Sequence, residues 1–192
     1  MSTEEFAVSK ELIEQLIDGT IDSENAERLL KMDRKDKARF FNYIAVLQDR
    51  VAWSDPILLR LGDKLYIVIN EHRQRVAKCE CGHEFGDYRK NWKLACKIRT
   101  RRTIEEMSEV YDPAPAVPEP GWQEIREFFC PTCASQLAVE VVAPGYPIVF
   151  EMLPDLDKFY GEYLDTPLAD SAADWYEDQT HRVTQKWAEK SA

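Results

Sequence analysis

Four of the five cysteines in this 192-residue chain fall into two close pairs, Cys79-Glu-Cys81-Gly82-His83 and Cys130-Pro131-Thr132-Cys133. Thiolates are soft metal ligands, and two such pairs, each at the tip of a β-hairpin, bring four sulfurs around one tetrahedral ion in the manner of a zinc ribbon. Gly82 after the first pair and Pro131 within the second suit tight turns that aim the sulfurs of a pair at one point. The expected metal ligands are therefore Cys79, Cys81, Cys130 and Cys133, with His83 either replacing one thiolate or hydrogen-bonding to the site from outside it. Four thiolates fill a tetrahedral zinc and leave no position for water or substrate, so the chemistry expected is cross-linking rather than catalysis.

Other fates of cysteine compete with this reading. A free buried thiol is the ordinary fate of an isolated cysteine and is expected for Cys96. Disulfides belong to oxidising compartments. Met1 to Lys10 carries Glu4 and Glu5 where a secretory leader would be basic and then apolar, so a cytoplasmic location is expected. A redox Cys-x-x-Cys usually opens a helix, whereas Leu137, Val139 and Val141 alternate as in a strand after Cys133. Zinc is preferred to iron because no other electron-transfer feature is present; a rubredoxin-like iron site is the weaker alternative.

The flanking elements must present these pairs. Leu12, Ile13, Leu16 and Ile17 form one apolar stripe before Gly19, predicting a helix that ends there. Asp22-Ser23-Glu24 caps a short second helix through Leu29-Leu30, and a third is expected from about Arg34 to Val51. After Pro56 the period shortens. Gly62-Asp63 reads as a turn, Leu65, Ile67 and Ile69 alternate in a strand, and Arg73 to Lys78 reads as its partner. A second β region spans Ile125 to Val142. The 48 residues between Cys81 and Cys130 exceed the usual ribbon spacing, so residues 88–122 read as a helical and proline-rich insertion, with Thr103-x-x-Glu106 as a capping box and four prolines between Asp112 and Pro120. From Glu151 to Thr180 nine acidic residues accompany one lysine, with Trp175, Tyr176, Val183 and Trp187 at roughly helical spacing. The expected fold is α+β. A helical segment comprises 1–55, a zinc-ribbon-like antiparallel β domain comprises 56–150, and an acidic helical tail that packs on a partner comprises 151–192.

Composition narrows the function. Hydrophobic residues make up 44% and charged residues 31%, enough for a packed core. No apolar run approaches the roughly 18–20 residues of a membrane span. Phosphate-loop, dinucleotide and serine-elbow motifs are absent, so no autonomous nucleotide-dependent or serine-nucleophile enzyme is indicated. The net charge of −10 argues against binding nucleic acid through the whole surface. One stretch runs the other way: Tyr88 to Arg102 holds seven basic residues and no acid, with Tyr88 and Trp92 interleaved. It reads as a basic face that pairs with this chain's own acidic tail or an acidic partner. The alternative is a nucleic-acid surface on a stand-alone zinc-ribbon module.

The block Cys79-Glu-Cys-Gly-His-Glu-Phe85, followed by Tyr88-Arg-Lys-Asn-Trp-Lys93, resembles the gamma (small) subunit family of acetone carboxylase. So do Phe129-Cys-Pro-Thr-Cys133, Val142-Ala-Pro-Gly-Tyr-Pro-Ile-Val-Phe150 and Leu153-Pro-Asp-Leu-Asp157, and the resemblance covers roughly Leu65 to Leu164. Ala134 departs from it, standing where a knuckle of this type commonly has glycine. The resemblance implies a cytoplasmic heterohexamer of alpha, beta and gamma subunits, two of each. That assembly converts acetone and bicarbonate to acetoacetate while ATP goes to AMP and two phosphates. It places ATP and Mn2+ in the large subunits and a zinc in the gamma chain. On that reading this chain is an accessory rather than a catalytic subunit.

Overall fold

The computed structural model describes residues 8–31, 37–111, 116–169 and 176–191. The expectations that rest on Glu4, Glu5, Pro113, Pro115 and Trp175 lie outside the described residues.

Local capping sets the first two helices. In α1 (Lys10–Asp18) the Ser9 side chain accepts from Leu12 N, and Gly19 closes the helix at φ 69°, a conformation that costs glycine little. In α2 (Ser23–Leu30) the Asp22 carboxylate accepts from Asn25 N at 2.9 Å. The third helix, α3 (Ala38–Arg50), packs on α1, and Val8, Ile13, Leu29 and Val46 form a small core among the three.

The α+β class is borne out: two antiparallel sheets follow the helices. The first has the order β1 (Ile57–Gly62), β2 (Leu65–Ile69), β3 (Arg75–Cys79), β4 (Glu84–Asp87). The second has the order β5 (Lys97–Arg101), β6 (Glu124–Phe129), β7 (Gln136–Val142). In β2 Leu65 to Val68 are all buried, because both faces of the sheet are covered. Leu47 and half-buried Ile44 of α3 meet Ile57, Tyr66, Val68 and Val76 on one face. On the other, Leu58, Ile67 and Tyr88 meet Leu156, Tyr160 and Leu164. Leu156 opens α5 (Leu156–Lys158), Tyr160 belongs to the single π-helical turn that follows it, Phe159–Tyr163, and Leu164 caps that turn. Tyr160 donates its hydroxyl to Leu58 O at 2.8 Å, and Arg75 forks onto Asp157. Residues 156–164, at the start of the 151–192 segment, therefore fold back into this chain's own core. A final helix, α6 (His181–Ser191), ends the described chain.

The stretch expected as an insertion contributes a strand. β5 pairs along its whole length with β6, Lys97 opposite Phe129 and Arg101 opposite Ile125. Its sequence, Lys-Ile-Arg-Thr-Arg, lacks apolar alternation because one face carries charges that neutralise those of its neighbours. The capping box at Thr103 and Glu106 forms as expected and starts α4 (Ile104–Ser108), which buries Met107 completely. No helix among the described residues is long and apolar enough to cross a membrane.

Candidate metal centre

The β3–β4 and β6–β7 hairpins each end in a cysteine knuckle. In the first, Gly82 N donates to Cys79 O and Cys79 N to His83 O, both at 2.8 Å, with Gly82 at φ 94°. In the second, Ala134 N donates to Cys130 O at 3.0 Å and Cys130 N to Ser135 O at 2.9 Å. Each turn thus points its backbone donors inward and leaves two sulfurs facing the other hairpin.

The four sulfurs converge. Cys79 Sγ lies 3.8 Å from Cys133 Sγ, Cys81 Sγ lies 3.7 Å from Cys130 Sγ, and all four lie within 4.8 Å of one another. A tetrahedron with metal–sulfur bonds of about 2.3 Å has edges of about 3.8 Å, so the donor set fits zinc. A disulfide needs sulfurs at about 2.05 Å, and all the cysteines are free. Cys79 and Cys130 are fully buried, against Leu65 and Leu137 with half-buried Leu61, Phe85 and Trp92 around them, while Cys81 and Cys133 face solvent. The strand after Cys133 replaces the helix that a redox pair would need.

His83 stands beside the cluster, outside the four converging groups. Its Nδ1 lies 3.0 Å from Thr132 Oγ1, so it ties one knuckle to the other, and its ring meets Phe85 edge-on. Trp53 braces the first knuckle by donating from Nε1 to Glu80 O at 2.9 Å. Thr132, Ser135 and Trp53 were not singled out from the sequence. Thr132 and Ser135 flank the knuckle cysteine and were legible as local polar partners, whereas Trp53 is brought in only by the fold. Cys96 is half-buried, with Sγ 3.8 Å from Trp92 O, and burial pushes its thiol up to about 12, with Cys130 adding to the shift.

Protonation differs across the cluster. The Ser135 hydroxyl and then its backbone amide hold the Cys133 thiol down to about 6. Burial raises Cys79 and Cys81 above the ordinary thiol range. A thiol that is protonated at pH 7 must lose its proton to bind metal, so affinity rises with pH and falls as the solution is acidified. Zinc uptake at pH 7 should release at least two protons, one each from Cys79 and Cys81. Calorimetric titration in buffers of different ionisation enthalpy measures this, and a buffer-independent heat would contradict it.

Ala134 sits at φ 57°, the left-handed region that disfavours a side chain. An L-residue there costs about 1–2 kcal/mol, and glycine's extra chain entropy offsets roughly 0.5–1 kcal/mol of that. Ala134→Gly should stabilise the metal-loaded protein by about 0.5–1 kcal/mol, read as a higher midpoint in chemical denaturation. A lower midpoint would show that the turn is not strained.

Five of the seven cations of the basic stretch are paired from within the chain. Lys93, 4% exposed, reaches Glu140 at 2.6 Å and Glu151 at 2.8 Å, with its Nζ 5.5 Å from the Phe128 ring centroid. Arg101 pairs with Glu127 and Glu109, Arg99 with Glu109, Arg102 with Glu124, and Arg89 with Asp87. Apart from Glu151, these acids belong to neighbouring strands and to the C-cap of α4, Glu109, rather than to the acidic tail. The tail contributes differently: Asn91 N donates to Thr180 Oγ1 and Gln179 N to Arg89 O.

Comparison with known proteins agrees with this site. The family model described as acetone carboxylase gamma subunit matches residues 51–164, which include both sheets and all four clustered cysteines. The acetone carboxylase gamma subunit of Xanthobacter autotrophicus is 41% identical over 172 residues, covering 87% of this chain and 99% of that protein. The acetophenone carboxylase beta subunit of Aromatoleum aromaticum is 32% identical over 80 residues, covering 41% of this chain and 62% of that protein. Taken with the paired knuckles, a match of this extent places the chain in the acetone carboxylase gamma subunit family.

Proposed function

We propose that this chain is the zinc-binding small subunit of an ATP-dependent acetone carboxylase complex, acting as a structural accessory while the large subunits carry out the chemistry. The carrying observation is the closed four-thiol cluster within the residues that the gamma-subunit family model matches. Cys79, Cys81, Cys130 and Cys133 hold the zinc, with His83 aligning the two knuckles through Thr132. Bound zinc supplies a cross-link between the two hairpins and the positive charge that keeps four sulfurs together as thiolates. With four protein ligands the ion has no open position for substrate.

In this reading the partners are alpha and beta large subunits, two of each with two gamma chains, in the cytoplasm. They bind ATP and Mn2+ and convert acetone and bicarbonate to acetoacetate, with ATP going to AMP and phosphate. A relative from an acetophenone carboxylase supports ketones as the substrate class. The helical segment 1–55, the zinc domain 56–150 and the tail beyond the turn at 156–164 present the contact surfaces. Leu30 and Trp122, 81% and 79% exposed, are apolar side chains for which a partner interface would account.

Native mass spectrometry with elemental analysis, on protein purified from its host, tests the reading. Two large polypeptides with about one zinc per chain are expected. A metal-bearing monomer would sink the subunit assignment, and a complex without zinc in this chain would sink the metal assignment.

A further inference from the structure

β4 is the edge of its sheet, and beside it lies a cleft of 460 Å³, within the roughly 300–1,000 Å³ range of small-molecule sites. Its walls come from the β2–β3 turn, from β3 and from the run between Gly86 and Lys90; none of the cysteines lines it. Arg73, Arg75, Arg89 and Lys90 all border it.

Among the described residues, the carboxylates around this cleft are engaged. Asp157 receives Arg75 Nη1 at 3.0 Å and Nη2 at 2.8 Å. Asp87 is held by Arg89 Nε and Nη2. Glu84 accepts from Lys78 Nζ at 3.3 Å and Asn70 Nδ2 at 3.2 Å. Arg73 and Lys90 form no close ion pair with a carboxylate among the described residues; Lys90 acts on Asp87 only at longer range, behind Arg89.

The backbone holds both cations in place. Arg73 occupies φ 60° in a turn where Asn70 Oδ1 accepts from His72 N and Gln74 N. Lys90 N donates to Asp87 O at 3.0 Å, closing the turn after β4. Gly86, at φ 90°, leaves the wall open, since a Cβ there would meet nothing within 4 Å. Val76 adds an apolar surface beside the charges.

In a chain of net charge −10, two cations in a concave site that form no close ion pair among the described residues are a local exception that concentrates anions. A phosphate group, with its second pKa near 6, carries about two negative charges at neutral pH and matches them. We infer that this cleft binds a phosphate group, either free phosphate or the phosphate of a small organic monoester. The inference stands apart from both the metal centre and the subunit assignment.

The test uses the full-length, metal-loaded protein, labelled with 15N and titrated at constant ionic strength with inorganic phosphate and, separately, ribose 5-phosphate. Saturable shifts are expected at the amides of residues 73–75 and 86–90. Binding should weaken at least tenfold in the R73N/K90Q variant. Asparagine tolerates the left-handed backbone at position 73, and neither change removes an ion pair among the described residues, so circular dichroism and metal content should match the parent. Tighter binding of ribose 5-phosphate identifies a monoester as the ligand, and equal affinity identifies free phosphate. Shifts that are absent, that fall elsewhere, or that persist unchanged in R73N/K90Q overturn the inference.

Discussion

Cys130→Ser protein is expected to lose its metal and, with it, the fixed arrangement of its two sheets. Cys130 is fully buried, so a serine there presents a poorer ligand and leaves a polar hydroxyl in an apolar setting. A structural zinc contributes on the order of 10 kcal/mol of folding free energy, comparable to the whole stability of a typical domain, about 5–15 kcal/mol. Among the described residues, the sheets are joined at this point by the His83–Thr132 hydrogen bond and a small cluster: Leu65 and Cys79 from one side, Cys130 and Leu137 from the other, with Leu61, Phe85, Trp92 and Cys96 half-buried around them. Elemental analysis and the thermal transition report the outcome. Cys96→Ser is the control, because Cys96 lies outside the four-thiol cluster and should retain full metal. C130S protein with parental zinc content and melting temperature would remove the cluster from its proposed role.

Arg101→Met should be the most damaging single change away from the cysteines, costing about 3–5 kcal/mol. The Arg101 and Glu127 side chains are only 5% and 6% exposed, and their Nε and Oε2 atoms are 2.6 Å apart. Arg101 also reaches Glu106 O at 2.7 Å, tying α4 to the sheet. Methionine fills similar space but leaves Glu127 with the Gln136 Nε2 donor at 2.9 Å and the half-exposed Arg99, whose Nε stands 4.0 Å away. The penalty is chiefly that of a buried carboxylate left without its close cation, so the double variant R101M/E127L should recover much of the loss. Urea denaturation measures both. A loss below about 1 kcal/mol in R101M, the range of an exposed pair, would mean that solvent reaches Glu127 freely.

These two expectations reflect how unevenly this small protein is held together. The first sheet is covered on both faces by apolar side chains, from α3 and from the turn at 156–164. The second depends more on charge, with Glu124, Glu127, Arg101 and Arg126 all buried in it. The metal cluster stands where the two regimes meet, which is where a cross-link contributes most.

Features governed by a few consecutive residues were legible in the sequence itself. The two knuckles, the left-handed stop at Gly19, the capping box at Thr103 and the glycine-like turn at Ala134 depend on local backbone geometry, and the structure shows each of them. The convergence of the four thiols follows from two hairpins that each present a pair. Which role His83 plays was open until the opposite knuckle supplied Thr132. The tertiary structure alone decided β5, because a strand written in arginines and lysines has no apolar period; its charges make sense only opposite Glu127 and Glu124, whose positions come from sheet register. It also decided the fate of Leu156, Tyr160 and Leu164. Their spacing marks an apolar helical face, but burial depends on which surface that face meets. Here it meets the first sheet of the same chain, since Arg75 and Leu58 O stand ready to receive Asp157 and the Tyr160 hydroxyl.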